Sequence, residues 1–172
     1  HPLSDGAALE GLRLITKWLP TVFREPENIS ARGAMLTGSC LAGVAFNKGL
    51  GLVHAISHMV GGEFDTQHGL TNAVILPVVT RFNFPSLHEK VLRMAQVMDL
   101  DDTSAEAVNA EIERLLDDVK IPRSLIEIGV PSDCAQRIAE KAMLDNAAGT
   151  NPRRASVEEV KDLVENALQN AR

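Results

Sequence analysis

Residues 49–83 read GLGLVHAISHMVGGEFDTQHGLTNAVILPVVTRFN. Three of the five histidines of the chain, His54, His58 and His68, fall within this least polar long stretch, and Gly51, Gly61, Gly62 and Gly69 punctuate it. His54 and His58 are four positions apart. On an α-helix that spacing turns the chain by about 400° and puts both rings on one face, about 6 Å apart along the axis. Neutral imidazole is a ligand for Zn, Fe, Cu and Ni. His68 follows the Gly61-Gly62 pair, where a tight turn would fold it back towards the other two. Ala55 occupies the position where the zinc-protease HExxH pattern needs its glutamate, which excludes that chemistry. Spacing alone leaves two readings open: a metal or catalytic cluster, or three satisfied histidines of core and surface.

Working outward, helical periodicity dominates. Ser4 caps a helix to Leu19, with Leu9, Leu12 and Ile15 on one face and Pro20 closing it. Ile29 to Asn47 is rich in Gly and Ala and reads as a central helix buried on all sides. Leu52 to Val60 carries His54 and His58 and is expected to end at Gly61-Gly62. Glu63 to Gln67 reads as a polar loop, and His68 or Gly69 opens a helix to about Asn83, with a kink or break at Pro77. Further helices are expected over 87–98, over 103–119 behind the capping-box pattern Thr103–Glu106, and over 134–147 capped by Ser132. A last one starts at the second capping box, Ser156–Glu159, and ends near Ala171. No alternating strand pattern and no repeat appear, so the expectation is one all-α domain of about eight helices.

Composition narrows the function classes. At 172 residues the chain can bury about 70% of its unfolded surface and needs no disulfide. The net charge of −6, the absence of tyrosine and the lack of any Lys/Arg run beyond Arg153-Arg154 argue against nucleic acid as a partner. Cys40 and Cys134 read as two reduced, buried thiols of a cytoplasmic protein. No run approaching 18 apolar residues is visible, so no membrane span is expected, and HPLSDGAALEG lacks the pattern of a signal peptide.

The quoted stretch resembles the signature of the iron-containing alcohol dehydrogenase family. Gly51, His54, His58, Gly61, His68, Gly69, Ala73, Leu76 and Pro77 match its G-x-x-H-x-x-x-H, glycine, x-H-G, alanine and L-P elements. PLSDGAALEGLRLI, CLAGVAFN and GTNPR resemble flanking elements of the same family, so the likeness covers nearly the whole chain. It implies the C-terminal helical half of a dehydroquinate-synthase-like fold. It implies His54 and His68 as metal ligands, and His58 beside the nicotinamide as the proton-transfer group. Phe46 and Asn47, just before the signature, are expected to line the substrate pocket, with plain core packing as the other reading of Phe46. The implied activity is hydride transfer between a small alcohol or aldehyde and NAD or NADP, with Fe2+ as the first expectation for the metal and Zn2+ as the second. The complete protein is expected to be a homodimer or larger.

The family's other two metal ligands are an Asp and a His four apart, on a helix before the counterpart of Pro2-Leu3-Ser4. No D-x-x-x-H occurs in this sequence, and no βαβ pattern supports a phosphate cradle. The resemblance thus implies that residues 1–172 are the C-terminal helical metal-binding portion, with the NAD(P)-binding domain and the first metal-ligand helix outside it. Such a portion is expected to be inactive alone. The competing reading is a non-catalytic helical interaction module with a vestigial metal site.

Overall fold

Helical periodicity carries over into the structure. The computed structural model describes residues 1–169 and shows eight α-helices and no strand among them. They are α1 (Pro2–Arg24), α2 (Ile29–Ala45), α3 (Gly51–Phe64), α4 (His68–Asn83), α5 (His88–Val97), α6 (Ala105–Asp118), α7 (Ala135–Ala142) and α8 (Val157–Gln169). The expected all-α class is met. The chain divides into two compact units: His1–Gly49 with Leu87–Lys120, and Leu50–Ser86 with Ile121–Arg172.

In the first unit, α1 opens on Pro2, whose missing N–H is no loss at a helix start, and it runs through Pro20 to Arg24. Ser4 lies inside the helix and is buried, so it is not the cap, and Pro20 does not close the helix. The cost of Pro20 is the hydrogen bond that the Thr16 carbonyl would have received. The helix ends instead where the Glu25 N–H bonds to the Thr21 carbonyl at 2.8 Å.

Helix α2 is capped by Asn28, whose side chain accepts the Ala31 N–H at 3.0 Å. It approaches α1 closely: a Cβ on Gly11 would lie 3.0 Å from the Gly38 carbonyl oxygen, and one on Gly38 would lie 3.0 Å from Ile15 Cγ1. The small residues therefore serve one close contact. The expectation of burial on all sides is corrected, because within this unit only Ala31 and Gly38 of α2 are buried, while Ile29 and Leu36 are 79% and 74% exposed. Cys40 lies on the exposed side, so only Cys134 is a buried thiol. Residues Ile29–Lys48, with a mean hydropathy of 1.3, also reach the length and composition of a membrane-crossing helix, which the sequence reading did not expect. Val91, Ala95 and Met98 of the α5 region are buried, as are Val108, Ile112, Leu115 and Leu116 of α6, at the spacing of single helix faces.

The second unit has the larger apolar core. Leu52, Ala55, Ile56 and Val60 of α3 pack with Val74, Ile75, Val78 and Val79 of α4. Ile138 and three alanines of α7, and Val160, Leu163, Val164 and Leu168 of α8, belong to the same cluster, with Leu125, Val130, Cys134, Ala147 and Ala167. Each such Leu, Ile or Val contributes about 1.5–3 kcal/mol by burial. That burial explains why α3 does not stop at Gly61-Gly62 but continues to Phe64. Two glycines cost about 1 kcal/mol each in a helix, less than the buried face supplies. The stop is Asp65, left-handed at φ 54°, whose N–H bonds to the Gly61 carbonyl at 3.0 Å. Helix α7 is shorter than expected: residues 143–147 form turns and Ala148–Thr150 a short 3-10 helix. Ser156 and Glu159 form the expected capping box: the Glu159 N–H reaches Ser156 Oγ at 3.2 Å and the Ser156 N–H reaches Glu159 Oε2 at 2.9 Å. The expected end near Ala171 lies outside the described residues.

Candidate metal centre

The three histidines meet. His54 and His58 share a face of α3, and the three-residue connection Asp65–Gln67 returns the chain so that His68 opens α4 beside them. Ring centroids are 5.8 Å apart for His54 and His58, 5.3 Å for His54 and His68, and 5.4 Å for His58 and His68. The start of α4 is set by Gln67, whose Oε1 accepts the Leu70 N–H at 2.5 Å. Thr71, fully buried, donates to the Gln67 carbonyl at 3.0 Å, and its Oγ1 lies within hydrogen-bond distance, 2.7 Å, of the Thr66 hydroxyl.

Two imidazoles converge on one point. The Asn72 amide nitrogen lies 3.0 Å from His68 Nε2 and 3.4 Å from His54 Nε2. An amide N–H donates, so both Nε2 atoms present lone pairs there. Asn72 Oδ1 is buried without a hydrogen-bond partner. Burial, reinforced by repulsion from His68 and His58, lowers the pKa of His54 below 6.5 and favours the neutral ring that a metal requires. The pair therefore fits two adjacent ligands of a divalent ion. Among the described residues, no group of three or more His, Cys, Asp or Glu side chains is arranged to hold one.

His58 faces a different partner. Its Nδ1 is 3.0 Å from Asp145 Oδ2, and the second oxygen of that carboxylate accepts the Ala147 N–H at 2.7 Å. Burial works to raise the Asp145 carboxyl, but the Ala147 N–H and the bond to His58 outweigh it and hold the group below its ordinary range. The turn carrying Asp145 also caps α3. Thr150 Oγ1 accepts the Leu50 and Gly51 N–H groups at 3.1 and 3.2 Å, and Asn151 Oδ1 accepts the Leu52 N–H at 3.1 Å. Gly51, at φ 73°, has room for no Cβ without crowding Asn151 Oδ1 at 3.1 Å.

Asn72 and Asp145 were not read from the sequence. Asn72 stands four residues after His68 on one helix face, a spacing that could have been read. Asp145 is 87 positions from His58 and carries no local signal. Phe46 and Asn47 belong to the first unit; Phe46 is 54% exposed, and Asn47 Nδ2 donates to the Val44 carbonyl at 3.2 Å. Glu63 is on α3, not in a loop, and pairs with Arg137 and Lys141. Those two cations depress its carboxyl to about 2. Gly61 and Gly62 both lie inside α3.

Comparison with known proteins gives this geometry a context. The profile of the "Fe-containing alcohol dehydrogenase family, C-terminal" matches residues 1–168. The chain is 37% identical to an NAD-dependent methanol dehydrogenase of Bacillus methanolicus over 174 residues, 97% of this chain and 46% of that protein. It is 37% identical to a 1,3-propanediol dehydrogenase of Klebsiella pneumoniae over 175 residues, 98% of this chain and 45% of that protein. A crystal structure of a 1,3-propanediol oxidoreductase superposes with a TM-score of 0.94 at 37% identity, covering 98% of this chain and 46% of that one. An alcohol dehydrogenase from Oenococcus oeni gives 0.89 at 31% identity, covering 97% of this chain and 45% of its own. The chain spans about half the length of the curated relatives it matches.

Proposed function

The chain belongs to the Fe-containing alcohol dehydrogenase family, and from that premise we propose that it is the helical metal-binding part of an oxidoreductase acting on small alcohols and aldehydes with NAD or NADP. The observation that carries the reading is the convergence of His54 Nε2 and His68 Nε2 on one polar point. A divalent metal bound there, Fe2+ before Zn2+, would polarise the oxygen of the alcohol or carbonyl. His54 and His68 would hold it as neutral imidazoles. His58 takes up or returns the alcohol proton, as an imidazole can through either ring nitrogen. Phe46 and Asn47 are retained as pocket residues because they immediately precede the signature. The sequence has no βαβ pattern to cradle a pyrophosphate, so the dinucleotide is assigned to the whole polypeptide, with His58 beside the nicotinamide.

The names of the methanol and 1,3-propanediol relatives support short-chain alcohols as the substrate class. The same proposal includes a cytoplasmic homodimer or larger assembly, no nucleic-acid partner and no membrane role. The relatives' coverage extends through α2, which supports a helix of a packed domain over a membrane span.

The test is alcohol-dependent reduction of NAD or NADP by the polypeptide that carries these residues together with a nicotinamide-binding domain. Turnover is expected to collapse in His54→Ala and His68→Ala with loss of bound metal, and in His58→Ala with metal retained. Full turnover in all three variants would overturn the proposal in favour of a non-catalytic module.

A further inference from the structure

We propose that Asp145 is the positioning residue for His58, holding its ring as the Nδ1–H tautomer so that Nε2 is the nitrogen that exchanges a proton with the substrate. This inference rests on the role proposed for His58.

The two oxygens of Asp145 have separate tasks. Oδ1 accepts the Ala147 N–H at 2.7 Å, which fixes the carboxylate on its own turn, and Oδ2 lies 3.0 Å from His58 Nδ1. An ionised carboxylate only accepts. The Asp145 carboxyl is held below its ordinary range, so near neutrality it is ionised and His58 must donate through Nδ1. A neutral imidazole has one N–H, and Nε2 is then left with its lone pair. Hydrogen bonding at one ring nitrogen is the usual means by which a protein decides what the other can do.

The support is rigid at both ends. The Asp145 carbonyl accepts the Ala148 N–H at 3.1 Å, and the turn that follows delivers Thr150 and Asn151 to the first N–H groups of α3. One short segment, 145–151, therefore holds the helix of His58 at its N-terminus and the His58 ring itself one turn further along the face from His54. The His58 side chain is 35% exposed and that of Asp145 17% exposed, which leaves the ring reachable by substrate while its anchor is shielded.

The experiment is long-range 1H–15N spectroscopy of the 15N-histidine-labelled protein, metal-free and at mildly alkaline pH, with the signals assigned by comparison with His58→Gln. The expected wild-type result is a protonated Nδ1 and an unprotonated Nε2. Asp145→Asn should invert the tautomer. Its Oδ1 can keep the Ala147 N–H, which turns the amide NH2 towards His58 Nδ1 and leaves the ring proton to Nε2. Asp145→Ala should shift the population towards Nε2–H without fixing it. A wild-type ring protonated at Nε2, or a tautomer unchanged in both folded variants, would overturn the inference. The wild-type spectrum decides alone if neither variant folds. Adding Zn2+ to the same sample tests the underlying reading separately. Perturbed Nε2 signals at His54 and His68 support it. Coordination through His58 would overturn the role assigned to that residue and leave the metal-free tautomer result standing.

Discussion

Asn151 Oδ1 accepts the backbone N–H of Leu52 at 3.1 Å, joining positions 99 apart in the sequence. The first N–H groups of a helix have no partner inside it. In α3 the need is met by a distant turn: Asn151 serves Leu52, and Thr150 serves Leu50 and Gly51. Asn151 also exchanges hydrogen bonds with Asn83 at the end of α4, at 2.7 and 3.1 Å. The helix that carries two histidines and the helix that carries the third are thereby tied to the same side chain.

Asn151→Ala should lower unfolding stability by about 1–3 kcal/mol, because it removes a cap and leaves part-buried groups without partners. Thr150→Ala should cost about 1 kcal/mol, and Thr150→Ser close to nothing. Urea unfolding followed by circular dichroism measures both, and an unchanged midpoint in Asn151→Ala would mean that water replaces the cap at no cost.

Two glycines of the stretch should respond in opposite directions. Gly51 sits at φ 73° with Asn151 Oδ1 at 3.1 Å from an added Cβ. Gly51→Ala should therefore destabilise by about 1–3 kcal/mol. Gly62 is inside α3 with nothing within 4 Å of an added Cβ. Gly62→Ala should stabilise by about 0.5–1 kcal/mol through helix propensity alone. Paired thermal melts would show a lowered Tm for the first and a raised one for the second.

The Glu63 carboxylate should make stability depend on acid. Hydrogen bonds from Arg137 and Lys141 lower its pKa from 4.5 to about 2 in the fold. A carboxyl with a depressed folded pKa contributes stability above its unfolded value and loses it as pH falls through the folded one. Glu63→Gln should lower Tm at pH 7, and the difference should shrink from about pH 4.5 and vanish near pH 2. Added salt should also reduce the pH 7 difference, because the pair is solvent-accessible.

Metal binding by these 172 residues should be weak and selective among the histidines. Two imidazoles compete poorly with water for a divalent ion. Calorimetry with Zn2+ is expected to show affinity well short of nanomolar, reduced at least about tenfold by His54→Ala or His68→Ala and changed less than about threefold by His58→Ala. Nanomolar binding indifferent to His54 would refute the assignment of the pair.

Much of the fold was legible because its signals are local. The capping box at Ser156 and Glu159, the apolar spacing of α5 and α6, and the four-residue interval between His54 and His58 are all properties of a few neighbouring residues. So is the start of the fourth helix, read at His68 or Gly69 and found at His68. Where local rules failed, packing had overridden them. Gly61-Gly62 and Pro20 are helix breakers by propensity, yet both lie inside helices, because the penalty of each is of the order of a single buried aliphatic side chain. The composition of α2 indicated close packing but not on how many faces, since that depends on which helices are beside it.

By itself, then, the sequence indicated the all-α class and the family, and it singled out the three histidines as the candidate site. Only the tertiary structure decided what those histidines touch. Asp145 reaches His58 across 87 positions and Thr150 reaches Leu50 across 100. An aspartate behind a short helix and a Thr-Asn-Pro turn look like ordinary connections wherever they occur. Periodicity and capping act over a few residues, whereas a hydrogen bond needs only nearness in space, and that nearness is created by the apolar core that brings α3, α4, α7 and α8 together.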